Sequence, residues 1–278
     1  MNVTERRNLM KTPWLHELNW KEVLEYLKEN DTLILPVGST ETHGSHLPVG
    51  TDALVGMRLA EEAGKRTGVL VAPPLWYGHT PHHLGHAGTA SLSAETYMAV
   101  VKDICCSFIY HGFTKIVVVN GHRGGNVFSI MQAMTPLVNL TGAYIALLDP
   151  FFIGVSAWRS VQTGGSEAVG HGGEMETSHM LYIFPKLVNM SGAVRNVAKK
   201  KRFRALSVFD LEDRIISVPT AAGYNAASGA SGMTGDALIA TKEKGEAFHK
   251  KLMDTMVEAI TEIKAREVKL TGPVPLPY

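Results

Sequence analysis

Ile116-Val117-Val118-Val119-Asn120-Gly121-His122-Arg123-Gly124-Gly125-Asn126 passes from four consecutive β-branched residues straight into a glycine-rich polar loop. A short uninterrupted apolar run of this kind is a strand buried on both faces, as parallel sheets require. Working outward, Thr32 to Val37 is a second such run, Val69 to Ala72 a third, stopped by Pro73-Pro74, and Ala143 to Leu148 a fourth. Helical patterns lie between and around them. Asp52 to Arg66 is amphipathic, Ser93 caps a segment running to about Tyr110, and Asn126 to Val138 follows the valine strand. Asn19 and Glu22 have capping spacing ahead of Val23, Leu24 and Leu27. Glu174 to Phe184 is helical until Pro185, and a last helix carries Phe248, Leu252, Met256, Ile260 and Ile263 on one face. The alternation predicts an α/β fold, one domain over residues 1–278, with a mostly parallel sheet flanked by helices.

Composition narrows the function classes. A chain of 278 residues with 45% hydrophobic content can bury a large core. A net charge of +1 gives no electrostatic case for nucleic acid or an anionic membrane as partner. The adjacent Cys105 and Cys106 are poorly placed for a structural disulfide and read as small apolar helix residues of a reducing compartment. Residues 1–7 lack the apolar core of a secretory signal, and no run approaches the ~20 apolar residues of a membrane span. A cytoplasmic protein acting on a small molecule is the expectation.

In open parallel sheets ligands sit at the carboxyl ends of the strands. This chain places Glu41, His43 and Asp52 after one strand, His79 to His86 after another and His122 after the valine strand. Two carboxylates and an imidazole in the loop Gly38-Ser39-Thr40-Glu41-Thr42-His43-Gly44 to Asp52 are donors suited to Zn²⁺, Mn²⁺ or Fe²⁺. His122 has a plainer reading, a phosphate-cradling turn, but neither GxxxxGK[ST] nor GxGxxG occurs. In His171-Gly172-Gly173-Glu174-Met175-Glu176, the two glutamates cannot face the same way on one helix. The other glutamate then suits the positive end of the helix dipole. No G-x-S-x-G elbow supports serine catalysis. Lys199-Lys200-Lys201-Arg202 reads as a solvated loop, and Trp76 and Trp158 as flat walls for a pocket or as core.

The ordered motifs resemble those of the creatininase (creatinine amidohydrolase) family. The opening block is similar to G-S-x-E-Q-H-G-x-H-L-P-x-G-T-D, departing at Thr42. Gly78 to Leu92, with His83, resembles a second block, Asn120 to Asn126 an N-G-H-G-G-N block, and His171 to Ser178 an H-A-G-x-x-E-T-S block. The likeness runs from about Leu33 to Leu181; nothing after Val194 matches. It implies a two-metal hydrolase, usually a homohexamer, with cations about 3.5–4 Å apart sharing an activated water. By position, Glu41, His43, Asp52 and His122 match family ligands, Asp52 being the bridge. The glutamate of creatininase itself two residues beyond the loop histidine is replaced by Gly124. The resemblance assigns that role to Glu176, with Glu174 the second choice and a catalytic candidate beside His171, the expected proton carrier.

Departures from the pattern concern the substrate. The Asn120 to Asn126 loop is one residue longer than usual, and Thr80, His82, His86 and Ala87 replace Ser, Glu, Phe and Pro. An imidazole in place of an apolar ring favours a polar, hydroxyl-rich or anionic substrate over creatinine. The expected activity is hydrolysis of a C–N amide bond in a small cyclic or polar molecule. The alternatives are C–C ring opening of an inositol-derived cyclic diketone, peptide cleavage of a maturation type, and a non-catalytic metal- or sugar-binding protein.

Overall fold

Four strands align in parallel in the order β2-β1-β3-β4, where β1 is Thr32–Val37, β2 Leu70–Val71, β3 Lys115–Asn120 and β4 Tyr144–Leu148. The computed structural model describes residues 11–197 and 220–276. The basic run Lys199 to Arg202 lies outside the described residues. β1 and β3 pair along their whole length, from Thr32 opposite Lys115 to Val37 opposite Asn120, so both strands end level. From β1 the chain goes to β2 on one side and then crosses to β3 on the other. That reversal opens a crevice beyond the strands' carboxyl ends, where the loops after β1 and β3 diverge.

The helices follow the apolar patterns. α1 (Trp20–Leu27) begins at a complete capping box between Asn19 and Glu22. α2 (Thr51–Thr67) carries Asp52 in its first turn, and α3 (Ala94–Tyr110) is capped by the Ser93 hydroxyl. α4 (Gly124–Thr141) starts two residues earlier than the sequence predicts and continues through Pro136. α5 (Glu174–Ile183), α6 (Ala221–Ser228) and α7 (Lys242–Lys264) follow, and among the described residues short helical turns also occupy Pro150–Ile153, Val155–Arg159 and Ser166–Val169. β2 is shorter than predicted, because Pro73 and Pro74 have no N–H to extend the ladder.

Alternation along the strands sends side chains to two cores. Ile34, Val117 and Val119 pack against Leu59 and Ala63 of α2 and against Phe248, Leu252, Met256 and Ile260 of α7. Leu33, Leu35, Ile116 and Val118 pack against Tyr97, Val101 and Cys105 of α3 and Ile130 and Met134 of α4. Each such side chain contributes about 1.5–3 kcal/mol of hydrophobic stabilisation. Trp158 is in the first core, fully buried and edge-on to Phe248 with ring centres 5.6 Å apart, so it walls no pocket. A short antiparallel ribbon, β5 (Arg195–Asn196) with β6 (Gly235–Asp236), brings the last third of the chain back towards the crevice. Among the described residues no helix is long and apolar enough to cross a membrane.

Candidate metal centre

Two loops and two helices converge at the crevice. The loop after β1 delivers Glu41 and His43, α2 delivers Asp52, the loop after β3 delivers His122, and α5 delivers Glu176. Gly121 permits the approach, because a Cβ there would lie 2.0 Å from the Asp52 carbonyl oxygen. The β3 loop is then locked from beneath: Asn120 Nδ2 donates to the His122 carbonyl at 2.6 Å and to Asp149 Oδ2 at 3.1 Å. Asn126 Nδ2 donates to the Gly38 carbonyl at 2.9 Å, tying this loop to the end of β1.

Asp52 stands in the middle. Its Oδ2 is 2.9 Å from His122 Nδ1, and its Oδ1 is 2.9 Å from His43 Nε2. His122 Nδ1 is also 3.1 Å from Glu41 Oε2, and His43 Nε2 is 4.0 Å from Glu176 Oε2. The Ser39 hydroxyl sits between Glu41 Oε2 at 2.7 Å and Asp52 Oδ2 at 2.8 Å. Having one proton, it can donate to only one of them at a time. Among the described residues, three side-chain groups have donor atoms close enough to share an ion: Glu41, Asp52 and His122; His43, His171 and Glu176; and Glu41, His83 and His171.

The donor set fits a divalent cation. His43 Nε2 is buried and lies close to a carboxylate oxygen, yet it has no hydrogen-bond partner. Lone pair and carboxylate therefore converge on common space without the alignment of a hydrogen bond. Buried carboxylate and imidazole donors of this type suit Zn²⁺, Mn²⁺ or Fe²⁺.

Electrostatics shows the strain of gathering these groups. Burial opposes charge on His43, but Asp52, then Glu176 and Glu41, hold its pKa up at about 10. Burial, with Asp52 adding repulsion, pushes Glu176 up to about 7. For Glu41, His122 and then His83 and His171 outweigh burial and keep the carboxyl well below its usual range. Burial and the nearby His43 hold His171 down at about 3, so its ring is neutral.

Of the predicted site residues, Glu41, His43, Asp52, His122, His171 and Glu176 are brought together. Glu174 is not, which corrects its placement beside His171. It is fully buried and accepts from Thr163 N and Oγ1 at 3.0 Å each and from Gly164 N at 3.1 Å, and it pairs with Lys244 Nζ at 2.6 Å. Two residues apart on a helix point roughly 200° apart, so Glu176 faces the crevice and Glu174 the opposite side. Gly124 leaves no room for the absent glutamate, since a Cβ there would lie 2.6 Å from His122 Nε2. Arg123, the residue that lengthens the loop, stacks over Phe152 at 3.9 Å.

Several contributors were not predicted. His46 Nε2 lies 2.8 Å from Thr177 Oγ1 and 3.2 Å from the Gly172 carbonyl, joining the β1 loop to α5. Its place within the opening motif was the available signal. Tyr224 of α6 roofs the site, its ring edge-on to His83 with centres 4.1 Å apart and 5.8 Å from His82 and from His171. No motif marked it.

The chain is similar in sequence and fold to several known proteins. A family model described as creatinine amidohydrolase matches residues 16–260. A 3-dehydro-scyllo-inosose hydrolase of Thermotoga maritima is 29% identical, the match covering 91% of this chain and 84% of that protein. A creatinine amidohydrolase of Pseudomonas putida is 28% identical over 91% of this chain and 98% of its own length. A solved creatininase whose description names manganese superposes with a TM-score of 0.74 at 27% identity, covering 92% of this chain and all of that one. Another creatininase structure is described as a zinc–zinc form, with a TM-score of 0.72.

Proposed function

The chain belongs to the creatininase family of hydrolases, and from that premise we propose that it hydrolyses a C–N amide bond in a small cyclic or polar substrate at a pair of divalent cations. Asp52 carries the reading: its two carboxylate oxygens address two different imidazoles, each at 2.9 Å, as a bridging ligand must. Glu41 and His122 complete one side, and His43 and Glu176 the other. Zn²⁺ and Mn²⁺ fit this donor set, as does Fe²⁺. When bound, the cations supply an acidified water and a polarised carbonyl. His171, with Nδ1 3.8 Å from Glu41 Oε1, would hold a proton at Nδ1 and deliver it to the leaving nitrogen. The polar network beneath His122 holds the ligands still while this happens.

A second reading is favoured by the imidazole wall of His82, His83 and His86 and by the Thermotoga relative. It is C–C ring opening of an inositol-derived cyclic diketone with the same residues. A homohexamer is the assembly that the family resemblance supports.

Elemental analysis of the purified wild type and of Asp52→Ala tests the centre. The expected result is about two divalent ions per chain in the wild type and loss of most of that metal in the variant. Unchanged stoichiometry would remove the bridging role. Assaying the loaded enzyme on creatinine, formamides, small cyclic amides and keto-inositols decides between C–N and C–C cleavage.

A further inference from the structure

His83 is buried, with 2% of its surface exposed, and it lies directly against the site, yet no role has so far been attached to it. Its Nε2 is 3.3 Å from Glu41 Oε1, and its ring stacks on His171 with centres 4.3 Å apart and planes at 29°. Glu41 Oε2 is engaged by Ser39 and His122, so Oε1 is the oxygen turned towards this pair of imidazoles. Tyr224 packs edge-on against the same ring, its centre 4.1 Å from that of His83 and 5.8 Å from that of His171.

Hydrogen bonding fixes where the protons sit. His171 Nε2 faces the Thr42 carbonyl, which can only accept, so the proton is on Nε2 and Nδ1 is bare. His83 Nδ1 is buried with no hydrogen-bond partner. A proton there would be a buried donor without an acceptor, a cost of about 1–3 kcal/mol. A bare acceptor is better tolerated than an orphaned N–H, so the proton of neutral His83 belongs on Nε2, the atom 3.3 Å from Glu41 Oε1. The two stacked rings thus turn opposite hydrogen-bonding faces to one place: a donor from His83 and an acceptor from His171, with Glu41 Oε1 within 4.8 Å of both.

We propose that His83 is a substrate-contacting residue that presents Nε2–H to the ligand as the donor half of a pair whose acceptor half is His171 Nδ1. The ligand edge it fits has an acceptor next to a donor, both pointing the same way. A ring amide, whose C=O and N–H are cis, has that edge, and so does an α-hydroxy ketone. An open-chain trans amide turns the two groups apart. The inference rests on the reading of this crevice as the substrate site, but it does not depend on which bond is cut.

The test is binding of pyrrolidone and of N-methylacetamide, followed by NMR titration of the metal-loaded full-length wild type, His83→Phe and His83→Gln. The wild type is expected to prefer the ring amide by roughly 3- to 10-fold, the worth of one neutral hydrogen bond. His83→Phe, which keeps the stacked ring, loses that preference with its metal content unchanged. His83→Gln, whose amide N–H reaches the position of Nε2, recovers part of it. The proposal is overturned if the wild type shows no preference, if His83→Phe retains it, or if His83→Phe loses metal, which would make His83 a ligand. Should the wild type cleave none of the amides or cyclic ketones while the preference still depends on His83, it is the hydrolytic assignment of substrate that fails and not this one.

Discussion

Glu174 and Glu176 stand two positions apart on α5 and meet opposite surroundings. Glu174 is sealed against Lys244 and the Thr163–Gly164 backbone, while Glu176 faces His43 and accepts from the Gly172 N–H. Breaking a buried ion pair by removing one partner typically costs about 3–5 kcal/mol. Glu174→Gln is therefore expected to lower the melting temperature clearly while leaving metal stoichiometry intact. Glu176→Gln is expected to do the reverse, losing metal from the His43 side with little change in the melting temperature of the metal-free protein. Calorimetry and elemental analysis on the two variants check this, and equal behaviour would refute the division. Helical phase alone says that the two diverge without saying which faces the crevice; only the resemblance put Glu176 ahead of Glu174, and Glu176 is the one beside His43.

At the scale of elements, α5 is the helix that ties the site to the rest of the fold. His46 grips its first turn through Thr177, and two residues on, His179 Nε2 lies 2.9 Å from His249 Nδ1 of α7. His249 Nε2 in turn lies 2.9 Å from Glu62 Oε2 of α2, so three helices are cross-braced by one polar chain. Burial, and next the proximity of His249, hold His179 down at about 3. Between the ordinary imidazole value of about 6.5 and that depressed value, the unfolded chain takes up a proton that the folded chain refuses. Stability therefore falls as pH drops through this window, by up to about 1.4 kcal/mol per pH unit from this ring. Thermal melts of the metal-free protein at pH 7 and pH 5 should show the loss, and His179→Gln should show less of it; an identical pH dependence in the variant would remove the brace from the account.

Across the whole molecule, the strand order brings distant chain segments to one point and leaves apolar side chains outside. Phe128 and Met131, one turn apart on α4, are 69% and 58% exposed, and Trp20 on α1 is 68% exposed. Phe128 and Met131, neighbours on one face of α4, make the kind of exposed apolar surface that marks a contact. Sedimentation is expected to give a hexamer, and Phe128→Asp a smaller species with its metal retained; a monomeric wild type would end that expectation. The strands, the helix caps and the trio Glu41, His43 and Asp52 were legible in the sequence, because each depends on neighbours within a turn or a loop. The apolar run of β3 required a buried parallel strand, and the short loop after β1 required its carboxylate and imidazole to stay close. What joins Asp52 to His122, turns Glu176 towards His43, stacks His83 on His171 and lays Tyr224 over them is the order of strands around β1. Those contacts span tens to more than a hundred residues of chain, so no local pattern encodes them; they exist because the chain adds β2 on one side of β1 and β3 on the other, and the cores on the two faces of the parallel sheet fix where each helix must lie.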